Sequence, residues 1–262
     1  MPDLSKYGPW AVIAGGSEGV GAEFATQLAD EGFNLVLIAR KPGPLEETAE
    51  ACRAKGVEAR TVAVDLTAAD AIATIIEATA DVEVGLLIYN AGANAYGHEF
   101  LDGELDGFGT VIDLNITAML GLVHHYGRSM RERKRGGIVL IGSLSGYLGH
   151  YEQTIYSGVK AFGRVFAEGL WLELREHNVD VLEYVLGVTR TPAMERAGLN
   201  FDIPGLVIGE PPVVAAEALA NIANGPVVVA DGNQKIAEVQ AGPNRHKIVA
   251  GSHERMKKLI NR

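Results

Sequence analysis

Short apolar runs alternate with segments of helical length along the whole chain, the pattern of βαβ units feeding a parallel sheet. Strands are predicted over Trp10 to Ala14, Asn34 to Ala39, Val57 to Val64, Val84 to Asn90, Gly137 to Gly142, Val179 to Leu186 and Pro226 to Ala230. Their near-continuous Val, Ile and Leu content suits strands covered by helices on both faces. The intervening helices are predicted over Val20 to Glu31, Pro44 to Lys55, Ala68 to Ala80, Leu105 to Arg135, Gln153 to Asn178 and Pro212 to Asn224, the start of the fourth being either helix or a separate turn. One long connection, 187–210, lacks strong periodicity and contains Pro192, Gly198, Pro204 and Gly205. It follows a strand's carboxyl end, where ligands bind in open α/β sheets, so it reads as a binding loop of the substrate or, more plainly, as a mobile connection.

Composition narrows the picture. At 262 residues, 47% of them hydrophobic, the chain is long enough for one substantial core, and a single domain spanning 1–262 is expected. A formal net charge of -10 disfavours general affinity for nucleic acid or an anionic membrane, so any phosphate site must be built locally. Cys52 is the one cysteine, which leaves no intramolecular disulfide and no cysteine metal cluster. The N-terminus lacks the regions of a secretory signal, and no stretch reads as approaching the roughly 20 apolar residues that span a bilayer. A soluble, cytoplasmic protein is expected.

Two clusters carry chemistry. Gly15-Gly16-Ser17-Glu18-Gly19-Val20-Gly21 lies between the first strand and the first helix, where glycines permit a tight turn and let backbone amides and a helix N-terminus approach a pyrophosphate. At the end of the second strand, where an acid would bind ribose hydroxyls, stands Arg40; it reads as a partner for a 2′-phosphate, favouring NADP over NAD, or as a solvated loop arginine. Tyr156 precedes Lys160 by four residues, which places both on one helix face, and Ser143 lies thirteen residues upstream. A free tyrosine titrates near about 10, and an adjacent cation favours its phenolate, so Tyr156 is suited to exchange a proton with a carbonyl or hydroxyl oxygen while a cofactor exchanges a hydride with its carbon.

With these motifs in register, the chain resembles the short-chain dehydrogenase/reductase family over most of its length. The resemblance rests on the glycine loop, Asp65-Leu66, Asn90-Ala91-Gly92 and the series Asn115, Ser143, Tyr156, Lys160. It implies a Rossmann-like, doubly wound parallel sheet of about seven strands in one domain. It also implies roles: Tyr156 as general acid or base, Ser143 on the substrate oxygen, Lys160 on the nicotinamide ribose, and Asn115 holding a water that links Lys160 to solvent. Cofactor contacts are implied from Gly15, Ser17, Glu18, Gly19, Val20, Gly21, Arg40, Asp65, Leu66, Asn90, Ala91, Gly92, Gly187, Val188 and Thr191, besides Tyr156 and Lys160.

Three positions depart from the family's pattern: Ala14 replaces threonine, Tyr89 replaces a second asparagine, and Leu186-Gly187 replaces Pro-Gly. The resemblance places His150, Tyr151, Ala93, Asn94, Gln153 and Met194 at the mouth of the substrate cleft, His150 and Met194 being candidate substrate contacts. It further implies a homodimer or homotetramer packed through the helices near 105–135 and 153–178, where Gly158, Ala161, Gly163 and Ala167 permit close approach to a partner or to the sheet.

The expected activity is NADP(H)-dependent interconversion of a ketone and a secondary alcohol. Met194, Ala197, Leu199, Phe201 and Leu206 on the late loop point to a hydrophobic substrate such as a steroid, fatty acyl or polyketide-like ketone. The rivals are an NAD-linked alcohol dehydrogenase working oxidatively and a non-catalytic dinucleotide sensor. His124-His125 is not read as a metal pair, since adjacent helix residues diverge, and the basic run Arg128, Arg131, Arg133, Lys134, Arg135 reads as a helix C-terminus complementing its dipole.

Overall fold

The computed structural model describes residues 4–196 and 198–260, with side chains through 254. In chain order the elements are β1 (Trp10–Ala14), α1 (Gly19–Asp30), β2 (Asn34–Ala39), α2 (Pro42–Arg53), β3 (Ala59–Ala63), α3 (Ala71–Ala78), β4 (Val84–Tyr89), α4 (Leu105–Ile112), α5 (Ala118–Arg133), β5 (Gly136–Ser143), α6 (Thr154–Leu174), β6 (Val179–Leu186), β7 (Val188–Thr189), α7 (Pro192–Arg196), β8 (Ile208–Gly209), α8 (Pro211–Ala220), β9 (Val227–Val229), α9 (Gln234–Ala241) and α10 (Arg245–Ile260). Among the described residues, seven strands form one parallel sheet in the order β3-β2-β1-β4-β5-β6-β9, the doubly wound arrangement, and β7 pairs with β8 beside it.

Successive residues of a strand face opposite sides, and here both sides are core. Ala11 and Ile13 of β1, with Leu35 and Leu37 of β2, pack under Phe24 and Leu28 of α1, Leu45 and Cys52 of α2, and Ala215 and Leu219 of α8. Val12 and Ala14, with Val36, Ile38 and Leu87, face Ile75 of α3, Leu122 and Met130 of α5, and Ala167 of α6. Full burial of such side chains contributes about 1.5–3 kcal/mol each, which explains why the strands are apolar without alternation. Cys52 is an ordinary member of the first layer, its thiol pushed up by burial.

The predicted helix over Leu105 to Arg135 is one continuous helical run, but it contains a π turn at Asp113–Thr117. The turn inserts one extra residue per hydrogen-bonded ring at the level of Asn115. By length and a mean hydropathy of 1.2, the run Leu105–Arg133 is long and apolar enough to cross a membrane, contrary to the sequence expectation. Within this fold its apolar face packs on β4 and β5. It stops at Lys134 in the left-handed conformation (φ 53°), where Arg133 donates to the Val84 carbonyl and Arg135 pairs with Glu83. The basic run thus fastens a helix end to the start of β4.

Two other differences matter for the site. The connection 187–210 holds the short β7, α7 and β8, and α9 and α10 follow β9, where no element is predicted.

Candidate active site

The strand order reverses between β1 and β4, and the crevice beyond their carboxyl ends is where open α/β sheets take ligands. Both predicted loops open there. Gly15 has φ +84°, and its amide donates to the Ile38 carbonyl at 2.8 Å, holding the glycine loop over β2. Asn90 Nδ2 donates to the Gly15 carbonyl at 2.9 Å, tying the end of β4 to the same loop. A Cβ on Gly21 would overlap the Gly15 carbonyl oxygen and lie 2.7 Å from Asn90 Nδ2. The turn therefore closes only over bare backbone, and it delivers Gly19 and the buried Val20 to the first turn of α1. This cradle, a side-chain-free turn leading into a helix N-terminus, fits a dinucleotide pyrophosphate.

Toward the expected adenosine end, Arg40 is exposed just past β2. It contributes a favourable charge to Asp65, whose carboxyl is held below the usual carboxylate range first by the Thr67 amide and hydroxyl. Leu66 beside it is buried. Ser17 offers its carbonyl to the Thr48 hydroxyl. The Glu18 side chain turns to the late segment, where Arg196 of α7 pairs with it through two hydrogen bonds of 2.5 and 3.0 Å and lowers its pKa.

The four residues Asn115, Ser143, Tyr156 and Lys160 come from three elements. Asn115 sits in the π turn, 5% exposed, with Nδ2 donating to the carbonyls of Val111 at 2.9 Å and Ala93 at 3.2 Å. Tyr89 reinforces the turn, its hydroxyl donating to the Leu114 carbonyl at 2.5 Å. The departure at Tyr89 thus replaces an amide by a phenol that anchors the π turn directly. Ser143 ends β5, its Oγ accepting from the Ser145 amide at 3.1 Å. Tyr156 and Lys160 stand in the first two turns of α6, with Lys160 Nζ 5.8 Å from the Tyr156 ring centroid.

Lys160 Nζ also donates to the Ile141 carbonyl at 3.0 Å. A Cβ at Gly92 would stand 2.8 Å from both Lys160 Nζ and Asn115 Oδ1, so the Asn90-Ala91-Gly92 segment lies directly against the pair. Glu183 of β6 lies buried behind Lys160 and has no counterpart among the predicted site residues. A charged residue inside the apolar run Val181-Leu182-Glu183-Tyr184-Val185 is the sequence feature that betrays it.

Gly187 packs against buried Asn233, and Val188 pairs with Ile208 in the two-stranded ribbon. Thr191 stands over the glycine loop, 3.2 Å from where a Gly19 Cβ would be, and its Oγ1 accepts from the Met194 amide. Met194 is 44% exposed, and Leu199 is also exposed. Phe201 lies under the Arg190 guanidinium, Leu206 is half-buried, and Ala197 falls outside the described residues.

His150 is half-buried, its pKa lowered by burial. Its neighbour Tyr151 bonds Glu99 and packs on His253 of α10, while Arg245 donates to the Tyr147 carbonyl. The C-terminal helix therefore touches the same segment that carries His150. His124 and His125 lie elsewhere, in an outer groove between α3 and α5 with Arg128 and Glu132.

Comparison with known proteins gives this geometry a context. The family model described as short chain dehydrogenase matches residues 9–200. A 7beta-hydroxysteroid dehydrogenase of Clostridium sardiniense is 35% identical over 71% of this chain and 72% of its own length. A very-long-chain 3-oxoacyl-CoA reductase of Podospora anserina is 34% identical over 74% of the chain, which spans only 59% of that protein. Among solved structures, a short-chain dehydrogenase from Sphingobium yanoikuyae in complex with NADPH superimposes with a TM-score of 0.76 and 31% identity, covering 85% of this chain and 87% of its own. A 7beta-hydroxysteroid dehydrogenase structure superimposes with a TM-score of 0.87 and 26% identity over 96% and 99% of the two chains.

Proposed function

Because the chain belongs to the short-chain dehydrogenase family, and so is an oxidoreductase acting on a carbonyl/alcohol pair, we propose that it uses NADP(H) and reduces a hydrophobic ketone. The observation that carries the reading is the convergence of Lys160, Asn115 and the bare Gly92 backbone beneath Tyr156.

In this reading the glycine loop and the start of α1 hold the pyrophosphate. Asp65 and Leu66 border the adenine, Lys160 and the Asn90-Ala91-Gly92 backbone hold the nicotinamide ribose, and Gly187, Val188 and Thr191 close over the far end. When bound, the nicotinamide supplies or takes up a hydride. Ser143 donates to the substrate oxygen and fixes its position. Tyr156 then gives its proton to that oxygen as charge develops there, and in the reverse direction takes the alcohol's proton. The Lys160 ammonium offsets the charge left on the phenol oxygen, and its bond to the Ile141 carbonyl fixes where that charge sits. Asn115 orders the water through which Lys160 exchanges protons with solvent.

NADP is favoured by Arg40, exposed at the end of β2 with Lys41 beside it, where a planar fork suits a 2′-phosphate. The Sphingobium relative's NADPH points the same way. An apolar substrate is supported by Met194 and Leu199 on the segment over the crevice, and by relatives named for steroid and long-chain acyl substrates. His150 and Met194 are its proposed contacts.

A homodimer or homotetramer is supported by exposed Leu105 and Ile112 on α4 and Phe162, Val165 and Leu172 on α6. Gly163 and Ala167 instead face the sheet side, where both are buried. The decisive experiment titrates the protein with NADPH and NADH by fluorescence and then adds apolar ketones while reduced cofactor is followed. Tight NADPH binding with ketone-dependent oxidation is expected; preference for NADH, or faster turnover of small polar polyols, would overturn it.

A further inference from the structure

Glu183 is a carboxylic acid in the middle of β6, an interior strand next to the edge strand β9, opposite Leu140 of β5 and 2% exposed. Space is left for it by two glycines. A Cβ on Gly142 would come within 2.7 Å of its carboxyl carbon, and one on Gly163 of α6 within 3.2 Å of Oε1. Among the described residues, Oε2 has no hydrogen-bond partner, and neither has the buried Oδ1 of Asn115. Both residues, with Lys160, line a small void of about 10 Å³, room for at most one water. A strand that needed only to pack would carry an apolar residue here, as β6 does at Val181 and Val185.

Building on the reading above, we propose that Glu183 is a positioning residue of the catalytic centre, a buried acid whose ionisation sets how much of the Lys160 charge reaches Tyr156. The groups facing it are Lys160, Arg164 and Glu168 of α6, and Tyr147 after β5. Tyr89 of β4 lines the same void, and α5 contributes the uncharged Met119. Burial is the largest influence and pushes the carboxyl up to about 8; Lys160 and Arg164 oppose it and Glu168 adds to it.

The sign follows. Below about pH 8 the side chain is neutral and the Lys160 charge acts undiminished. Above it the proton passes to solvent, and the carboxylate offsets part of that charge.

Glu183→Gln freezes the neutral state in nearly the same volume, and Glu183→Ala does so where the amide strains the fold. The first readout is infrared titration of the cofactor-free protein. A protonated-carboxyl band is expected to vanish near pH 8 in the parent and to be absent from both variants. The second is NADPH affinity by fluorescence across the same range, expected to weaken roughly threefold through pH 8 in the parent and to stay flat in the variants. The third is alcohol oxidation, where the ratio of variant to parent kcat is expected to rise roughly three- to tenfold between pH 7 and pH 9, with KM little changed. Superimposable pH dependences of NADPH affinity in parent and variants, or a carboxyl band that persists in Glu183→Gln, would overturn the proposal. Absence of ketone turnover with these two binding and infrared results intact would instead count against the substrate reading alone.

Discussion

The two sides of the crevice are made of different material. The side proposed to hold the cofactor, from β1 through the end of β4, is defined by backbone. Gly15 lies against the Ala91 amide, Gly21 against the Gly15 carbonyl and Gly92 against Lys160, with no room for a side chain at any of them. The late side, from β7 through α10, is defined by side chains on short elements: a two-residue ribbon, a five-residue helix, an exposed Met194 and the Glu18–Arg196 pair. Pyrophosphate presents the same shape to every such enzyme and backbone suffices to hold it, whereas a substrate pocket must be shaped by residues that are free to vary.

Five substitutions test that division, and the largest effect belongs to the residue between the two sides. Tyr156→Phe removes the proposed proton donor and leaves the ring, so kcat is expected to fall about 10²–10⁴-fold while NADPH affinity, measured by fluorescence, changes little. A variant that still turns over at half the parent's rate would move the proton transfer to another residue.

Gly21→Ala is expected to cost more than about 2 kcal/mol of stability and to abolish dinucleotide binding, because its methyl group must displace the Gly15 carbonyl. On the late side, Gly198→Ala meets open space at φ +73° and costs only about 1 kcal/mol. Equal losses in thermal melts would erase the contrast. Arg40→Glu is expected to weaken NADPH binding about 10–100-fold and leave NADH nearly unaffected, through charge alone. Parallel losses for both dinucleotides would remove the 2′-phosphate assignment.

Arg196→Ala ranks last. The pair with Glu18 is exposed and screened by solvent, so the melting temperature should barely move while KM for the ketone rises about twofold to fivefold as the late segment loosens over the crevice. Since Arg196 depresses the Glu18 pKa, the pair's contribution is present at neutral pH and lost as the solution is acidified through that lowered value. A melting temperature that drops steeply at neutral pH would mean that the late side is part of the core after all.

The same division governs what the sequence makes legible. The spans of β1, β2 and β6 match their predicted ranges because each is built on an unbroken or nearly unbroken run of buried apolar residues, despite Asn34 at the start of β2 and Asp180 and Glu183 within β6. The glycine loop and the Tyr156–Lys160 spacing were readable because only a few residue types satisfy those geometries. β7 and β8, two residues each, are too short to express a period of two. The π turn at Asn115 is a matter of hydrogen-bond partner rather than residue type, and the helix pattern runs through it undisturbed. Contacts such as Tyr151 with His253 join positions about a hundred residues apart, and only the assembled fold reveals them.

That π turn also governs which changes in chain length the protein tolerates. Each residue advances an α-helix by about 100°, so the extra residue rotates α4 relative to α5. Loops absorb insertions and deletions readily. Here, loss of one residue within 113–117 would let the run relax to an uninterrupted α-helix and swing Asn115 away from Lys160, or else turn the Leu122 and Met130 side of α5 off the sheet. The run from 105 to 133 is therefore a fixed-length spacer, free to change its exposed residues but not their number.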